Sequence, residues 1–388
     1  MAKLKLQEFI AEHSDWEVLL AEKPYCITIT RDEVYGKKLV MFKYSQIDSD
    51  FNLEIVRECR GCILDAETFE SVCIPFYKFG NAGESYCPKI DWKSCWVGQK
   101  LDGSLIKMVR IGDEILVSTN GTIDAFKAPL AEQIGCTAKT FGELVFTGIK
   151  DQYKELVTDE DVKKFLLENI EPCNTYMFEL TSPFNKVVVT WHETQLNFLG
   201  VRNNTTLQET YFTDHPLKDK FNTPKVFPLT SLEECMKAAS ELDANEEGYV
   251  VCDSHFNRVK VKSPLYVSIH HLRGENGVMS YKRALEIVKA NEVDEVLTYF
   301  PEYRDAFDKL EQRFNEKVAE VEAAWKEFEK IKDSLTTRKD QAIWIMSHVK
   351  EFAGFMFGML DGKITSIHDA IYEFPNDKIV RMLGFKDA

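Results

Sequence analysis

The sequence contains no apolar run that approaches the ~20 residues a helix needs to cross a bilayer, which argues against a helical membrane protein. Its first residues, Met1-Ala2-Lys3-Leu4-Lys5-Leu6-Gln7-Glu8, lack the apolar stretch of a secretory signal. The expectation is a soluble, cytoplasmic protein. Cysteine has no regular framework. Several of the ten lie inside apolar runs (Cys26, Cys73, Cys252), where a free thiol behaves as a small hydrophobe. Cys59-Arg60-Gly61-Cys62 has zinc-type spacing but no second pair, so the expectation is two reduced thiols in a strand. Positive charge is in deficit, with 48 basic against 63 acidic residues and a net charge of −15. That excludes a protein that coats nucleic acid nonspecifically. A nucleic-acid enzyme with this balance must gather its lysines and arginines into one groove.

What is present is a foldable chain. The 388 residues suffice for two or three domains, and 44% hydrophobic content with 12% aromatics supplies a core. Helical spacing over 3–22 predicts an amphipathic helix. Strands are predicted over 26–30, 38–44, 61–65, 71–76, 96–97, 105–111 and 115–119. Further strands are predicted over 176–180, 186–191, 196–201, 247–252 and 258–261. Helices are predicted over 158–169 and, from the capping spacing of Ser231 and Glu234, over 231–242. After about residue 270 strand signals vanish. Phe307, Leu310, Phe314, Val318, Val321, Trp325 and Phe328 recur at steps of three and four, one face of a long helix. More helices fit 338–359 and 366–374. The fold expected is α+β over residues 1–270, with antiparallel sheets flanked by helices, followed by an all-α domain over 271–388.

The chemistry centres on Lys100-Leu101-Asp102-Gly103-Ser104, a lysine at a strand end followed by a tight polar turn. Lys-x-Asp-Gly alone arises by chance in roughly one chain in ten of this length at average residue frequencies. A lysine becomes nucleophilic only when positive neighbours and partial desolvation lower its pKa from the ordinary ~10.4. Arg258, Lys260 and Lys262 alternate along a predicted strand, so all three project from one face, while Val259 and Val261 face the other way. A solvated strand face would read the same. Glu247-Gly248 on the preceding strand, however, places a carboxylate opposite the lysines. Taken singly, Glu179, Arg60 and Tyr44 also fit a strand-edge carboxylate, a surface ion pair and a half-buried aromatic.

In order along the chain, Lys100 to Ser104, Phe178-Glu179, Leu196 to Arg202, Glu246 to Val250 and Val259 to Lys262 resemble the motifs of the covalent nucleotidyltransferases. Upstream, Glu58 to Gly61 and Tyr77-Lys78-Phe79 match as well. Phe178 to Leu180 with Pro183 to Val188, and Val261 to Ser268, are similar to the phage-type RNA ligase 1 family. The resemblance covers roughly residues 35–270. It implies a nucleotidyltransferase (adenylyltransferase) domain and a magnesium- or manganese-dependent ATP-using RNA ligase. Such an enzyme joins 5′-phosphate and 3′-hydroxyl ends, those of cleaved tRNA among the candidates, with no obligate protein partner. If the chain is phage-encoded, it works in the host-cell cytoplasm.

By residue, the resemblance implies Lys100 as the nucleophile that carries AMP, and Lys260 and Lys262 as clamps on the α-phosphate. Arg60 and Lys78 contact either the nucleotide's phosphates or the RNA 5′-phosphate, and Tyr44 lies near the triphosphate. Glu179 accepts ribose hydroxyls, and Glu247 is the metal-side carboxylate, directly or through water. Gly103 and Gly248 permit close backbone approach to the nucleotide. The helical domain has a role in RNA choice. Asn120 stands where the family often has lysine, leaving Lys107 or Lys127 to supply that charge. The rival readings are a DNA ligase, a GTP-dependent capping enzyme, or a nucleotide- or RNA-binding module without turnover.

Overall fold

The computed structural model describes all residues except 1, 47, 244, 273–278, 291–292, 294–295, 298–300, 387 and 388. Contacts divide the chain into two compact units, Met1–Tyr266 and Val267–Ala388. No helix among the described residues is long and apolar enough to cross a membrane.

The first unit is built on three antiparallel sheets. The first has β1 (Ile27–Val34), β2 (Lys37–Tyr44), β3 (Arg60–Asp65) and β4 (Ser71–Cys73) in sequential order. β5 (Trp96–Gln99) belongs to another sheet. β6 (Ser104–Ile111), β7 (Glu114–Thr119), β8 (Asn174–Thr181), β9 (Gln195–Asn203) and β10 (Glu209–Tyr211) form the second, in the order β10-β9-β8-β6-β7. β11 (Val226–Phe227), β12 (Gly248–Cys252) and β13 (Arg258–Lys262) complete the third, β11-β5-β12-β13. The central strands of the second sheet are apolar on one face, while the other carries Lys107, Glu179 and Asn197. Ile106, Met108, Phe178, Leu180, Leu196 and Phe198 pack against helices over Phe141–Gln152 and Asp159–Asn169. The second unit is helical, with a core that includes Phe307, Leu310, Phe314, Val321 and Phe328 along the helix Arg304–Ile331. The fold class is thus mixed α+β with antiparallel sheets and a helical C-terminal region.

Several expectations are corrected. The helix expected over 3–22 is two helices, Lys5–Glu12 and Trp16–Ala21, broken where His13 leaves the helical region. The helix expected over 338–359 is likewise divided into Arg338–His348 and Ala353–Leu360. The helix Phe141–Gln152 was not anticipated, although Thr140 caps it by accepting from the Glu143 amide, a signal present in the sequence. The strand expected over 186–191 does not form. Its apolar residues are buried, Val188 at 1% and Val189 at 3% exposure. However, their amides donate to the Asp102 carboxylate at 2.8 and 2.7 Å rather than to a ladder.

Asp102 therefore ties down a segment of its own. Its second oxygen accepts from the Tyr266 hydroxyl at 2.8 Å, and its backbone carbonyl accepts from Trp191 Nε1 at 2.7 Å. At 4% exposure the carboxylate satisfies three donors that water cannot reach. Asp102→Ala is expected to strand all three and to cost about 3–5 kcal/mol, at roughly 1–3 kcal/mol per buried unsatisfied donor. Urea denaturation of the two proteins measures this; a difference below 1 kcal/mol would show that the segment is held elsewhere.

Candidate active site

Strand register assembles the centre. Gln99 lies opposite Tyr249, and the Lys100 amide donates to the Gly248 carbonyl at 2.8 Å. Across β12, Gly248 lies opposite Lys262. Lys100 and Lys262 thus flank the residue before Gly248, which is Glu247. One Glu247 oxygen meets Lys100 Nζ at 2.5 Å and the other meets Lys262 Nζ at 3.1 Å. The carboxylate is 3% exposed, and the two lysines bracket it. Gly248 is at φ +135°, and a Cβ there would sit 2.2 Å from the Val261 carbonyl oxygen. A Cβ on Gly103 would sit 2.3 Å from the Leu180 carbonyl oxygen. In both cases the close approach is to the protein's own backbone, although Gly103 also lines the cleft.

The cleft opens above this centre. Arg258, Lys260 and Lys262 all line it while Val259 and Val261 are buried, as the alternation predicted. The segment after Phe79 runs along β13. Lys260 donates its amide to the Gly80 carbonyl at 2.9 Å, and Ala82 donates to the Lys260 carbonyl at 2.8 Å. That pairing holds Phe79 beside Lys260, whose Nζ lies 5.3 Å from the ring. Arg60, the first residue of β3, lies over the rings of Phe76 and Phe79 at 4.6 and 5.3 Å. Glu179 comes from β8, opposite Leu105. Trp96, Leu199 and Phe212 form an apolar wall.

Four buried polar atoms in residues of this lining lack a hydrogen-bond partner among the described residues: Arg60 Nε and Nη1, Trp96 Nε1 and Asn120 Oδ1. Buried groups of this kind cost roughly 1–3 kcal/mol each when left unpaired, so a cleft that collects them is built for a polar ligand.

The charge balance says which kind. Burial, then the positive charges of Lys78, Lys100, Arg60 and Lys262, push Lys260 down to about 7. Burial, with Arg60 and Lys262, pushes Lys78 down to about 8. Burial raises Glu179 to about 7; Glu247 and Asp102 add to this, against Lys100 and Arg60. Cations outnumber carboxylates here and repel one another. A polyanion such as a phosphate chain relieves that repulsion.

Not every expected residue reaches the cleft. Tyr44 is 7% exposed, hydrogen-bonded to Arg60 and packed on Phe51 at 5.1 Å. Lys78 lines an adjoining cleft, with Nζ 5.2 Å from the Tyr44 ring. Neither lysine considered beside Asn120 lines the cleft. Lys107 is fully buried and donates to the Gly61 carbonyl, and Lys127 is paired with Asp32 at 2.7 Å. Cys59 and Cys62 are free, buried thiols. Sequence reasoning missed Asp102 as an anchor, although it stands inside the signature. It also missed the apolar wall, whose residues come from separate elements and carry no local pattern.

No group of three or more His, Cys, Asp or Glu among the described residues is placed to hold a metal ion. Glu247 with a ligand's phosphates is a donor set that suits a magnesium ion, which commonly takes one or two carboxylates and keeps several waters.

A family model described as RNA ligase, of the T4 RNA ligase 1 type, matches residues 58–266. A protein of Autographa californica nuclear polyhedrosis virus, named "Putative bifunctional polynucleotide kinase/RNA ligase", is 30% identical over 278 residues. The match takes in 68% of this chain but only 38% of the viral protein. An RNA ligase of Rhodothermus phage RM378 is 24% identical over 348 residues, covering 74% of this chain and 75% of that one. Among solved structures, an archaeal ATP-dependent RNA ligase superposes with a TM-score of 0.44 at 15% identity, covering 79% of this chain and 74% of that one.

The Lys260 shift has a stability consequence. Its pKa is lower in the folded protein than in the unfolded chain, so between about 7 and the ordinary 10.5 the unfolded chain binds more protons and stability rises with pH. Below pH 7 both states are protonated and the folded state bears the full cost of the buried charge. Lys260→Met is therefore expected to raise the Tm, most at pH 6 and least near pH 10. Thermal melts across that range check it; a lowered Tm at pH 6 would refute the assignment.

Proposed function

Because the chain belongs to the RNA ligase family, we propose that it seals RNA ends with ATP, using Lys100 as the covalent carrier of AMP. The observation that carries this reading is the Lys100–Glu247–Lys262 centre at the floor of a cleft with surplus positive charge. In the first step the Lys100 amine attacks the α-phosphorus of ATP. A P–N bond forms, the bond from the α-phosphorus to the bridging oxygen breaks, and pyrophosphate leaves. In the second, the RNA 5′-phosphate displaces the lysine and takes the AMP. In the third, a 3′-hydroxyl attacks that phosphate, a phosphodiester forms, and AMP leaves.

Transfers of this kind need positioning and charge neutralisation more than acid–base chemistry. Lys260 and Lys262 clamp the α-phosphate. Arg60 and Lys78 serve phosphates farther along the chain or the RNA 5′-phosphate, and the Tyr44 hydroxyl supports the Arg60 guanidinium. Glu179 accepts the ribose hydroxyls as a carboxylate, which is its form above about pH 7. Lys100 attacks through its unprotonated amine, and Glu247 would hold a magnesium or manganese ion beside the phosphates. Such an ion would neutralise charge on the phosphates. The RNA ends take the form of a 5′-phosphate and a 3′-hydroxyl, cleaved tRNA being one source, and the host-cell cytoplasm is the setting that fits the viral and phage relatives.

Incubation with α-labelled ATP and magnesium, followed by denaturation, is expected to leave acid-labile label on the chain and none on Lys100→Ala. Lys260→Ala and Lys262→Ala are each expected to slow labelling by about 10²–10³, the usual effect of removing one preorganised charge-stabilising donor. Wild-type labelling in either variant removes it from the clamp. If GTP labels the chain and ATP does not, the capping-enzyme reading replaces this one.

The helical unit is assigned to RNA choice. A chain ending near residue 275 is expected to keep lysine labelling but to change which RNAs it seals. Unchanged sealing of every RNA tested would remove that role.

A further inference from the structure

A second cleft adjoins the first and shares Phe79 and Arg258 with it. Of its residues, the ATP chemistry above uses only Lys78. Its wall combines the rings of Tyr77, Tyr86 and Phe256 with four cations and two carboxylates. Of its two carboxylates, Glu54 and Glu209, the second is already neutralised by Arg258 at 2.5 Å and by Arg202 at 3.5 Å. Lys78, in contrast, has no carboxylate within ion-pair distance among the described residues. Its Nζ meets only the neutral Gln46 Oε1 at 3.1 Å and lies over the ring of Phe51 at 4.8 Å. A cation without an ion-pair partner among the described residues therefore lines the second cleft.

Phe256 makes the cleft more than a surface depression. It adopts φ +61°, a left-handed conformation that costs a bulky residue about 1–2 kcal/mol and that glycine or asparagine would take readily. The turn is nevertheless enforced. The Asp253 carboxylate accepts from the amides of His255 and Asn257 at 2.9 and 3.0 Å and from Asn257 Nδ2 at 3.0 Å, and its carbonyl accepts from the Phe256 amide at 2.9 Å. The ring is backed by Tyr211 at 4.5 Å and remains half-exposed towards the cleft. Strain held in place around an aromatic ring beside an unpaired cation fits a surface on which a base stacks next to its phosphate.

We infer that this second cleft binds the terminal nucleotide of the 5′-phosphorylated RNA strand, its base stacked on the Phe256 and Tyr86 wall and its 5′-phosphate turned towards the shared border. The inference rests on the RNA-ligase reading and extends it to the polynucleotide substrate. Stacking on a ring reads no base edge, so the site is expected to accept any base.

The test uses the full chain carrying AMP on its lysine and a 5′-phosphorylated single-stranded oligoribonucleotide, with single-turnover AMP transfer followed against RNA concentration. Phe256→Asn removes the ring and suits the left-handed turn. Tyr86→Ala removes the other ring from a separate segment. Each is expected to self-adenylylate like wild type yet to need roughly 10- to 100-fold more RNA for half-maximal transfer, the scale of one lost base stack. Phe256→Tyr is expected to restore transfer. An oligonucleotide with an abasic 5′-terminal residue should bring wild type down to the level of Phe256→Asn while leaving that variant unchanged. Wild-type RNA dependence in both ring variants overturns the inference, as does indifference of the wild type to the abasic end. If the wild type forms no lysyl–AMP, the functional reading fails instead. Direct binding of the same oligonucleotide, read by fluorescence anisotropy in wild type and Phe256→Asn, then decides the cleft by itself.

Discussion

The Asp102 carboxylate is the bond on which the site depends. A lysine that must wait at the floor of a cleft needs a rigid turn behind it, and a turn cannot be rigid with its polar groups unpaired in a dry interior. Asp102 resolves this by turning inward, where it takes the amides of Val188 and Val189 and the hydroxyl of Tyr266. The same contacts connect the signature turn to the crossing between β8 and β9 and to the end of β13. Lys100 is therefore fixed relative to strands of two sheets.

Around that turn the protein tolerates an arrangement that weakens the fold. Lys260 and Lys78 are held well below their ordinary pKa, and Glu179 well above its own, all chiefly by burial. Four buried polar atoms of Arg60, Trp96 and Asn120, residues that line the cleft, have no hydrogen-bond partner among the described residues. Each is a cost to the free protein that a bound polyphosphate with a nucleoside can repay. Native structures keep such costs where ligands bind, because a site satisfied by its own side chains has nothing left to offer a substrate. Glu247 moderates the strain by pairing with Lys100 and Lys262 at once.

Legibility in the sequence followed from how local each constraint is. The alternation of Arg258, Lys260 and Lys262 was readable because strand geometry sets side-chain direction every second residue, and the cleft collects all three. The Ser231 cap and the long amphipathic helix were readable for the same reason. The run at 186–191 misled because burial alone does not say where amides find partners. A carboxylate more than eighty positions away took them, and no strand formed. Lys107 misled in another way. A lysine on a strand normally reaches water, but here Gly61 brings a carbonyl to its ammonium inside the core.

By itself, then, the sequence determined the residue types of the site, their order along the chain, the strand faces they occupy and the change from sheets to helices near residue 270. Those are consequences of side-chain periodicity and turn chemistry, which act over a few residues. Only the tertiary structure decided that Lys100 and Lys262 share one carboxylate, that Lys78 lies in a neighbouring cleft, and that Asp102 anchors the turn rather than facing the ligand. These depend on strand register and on desolvation, and both are set by residues more than eighty positions apart meeting in a medium that water does not enter.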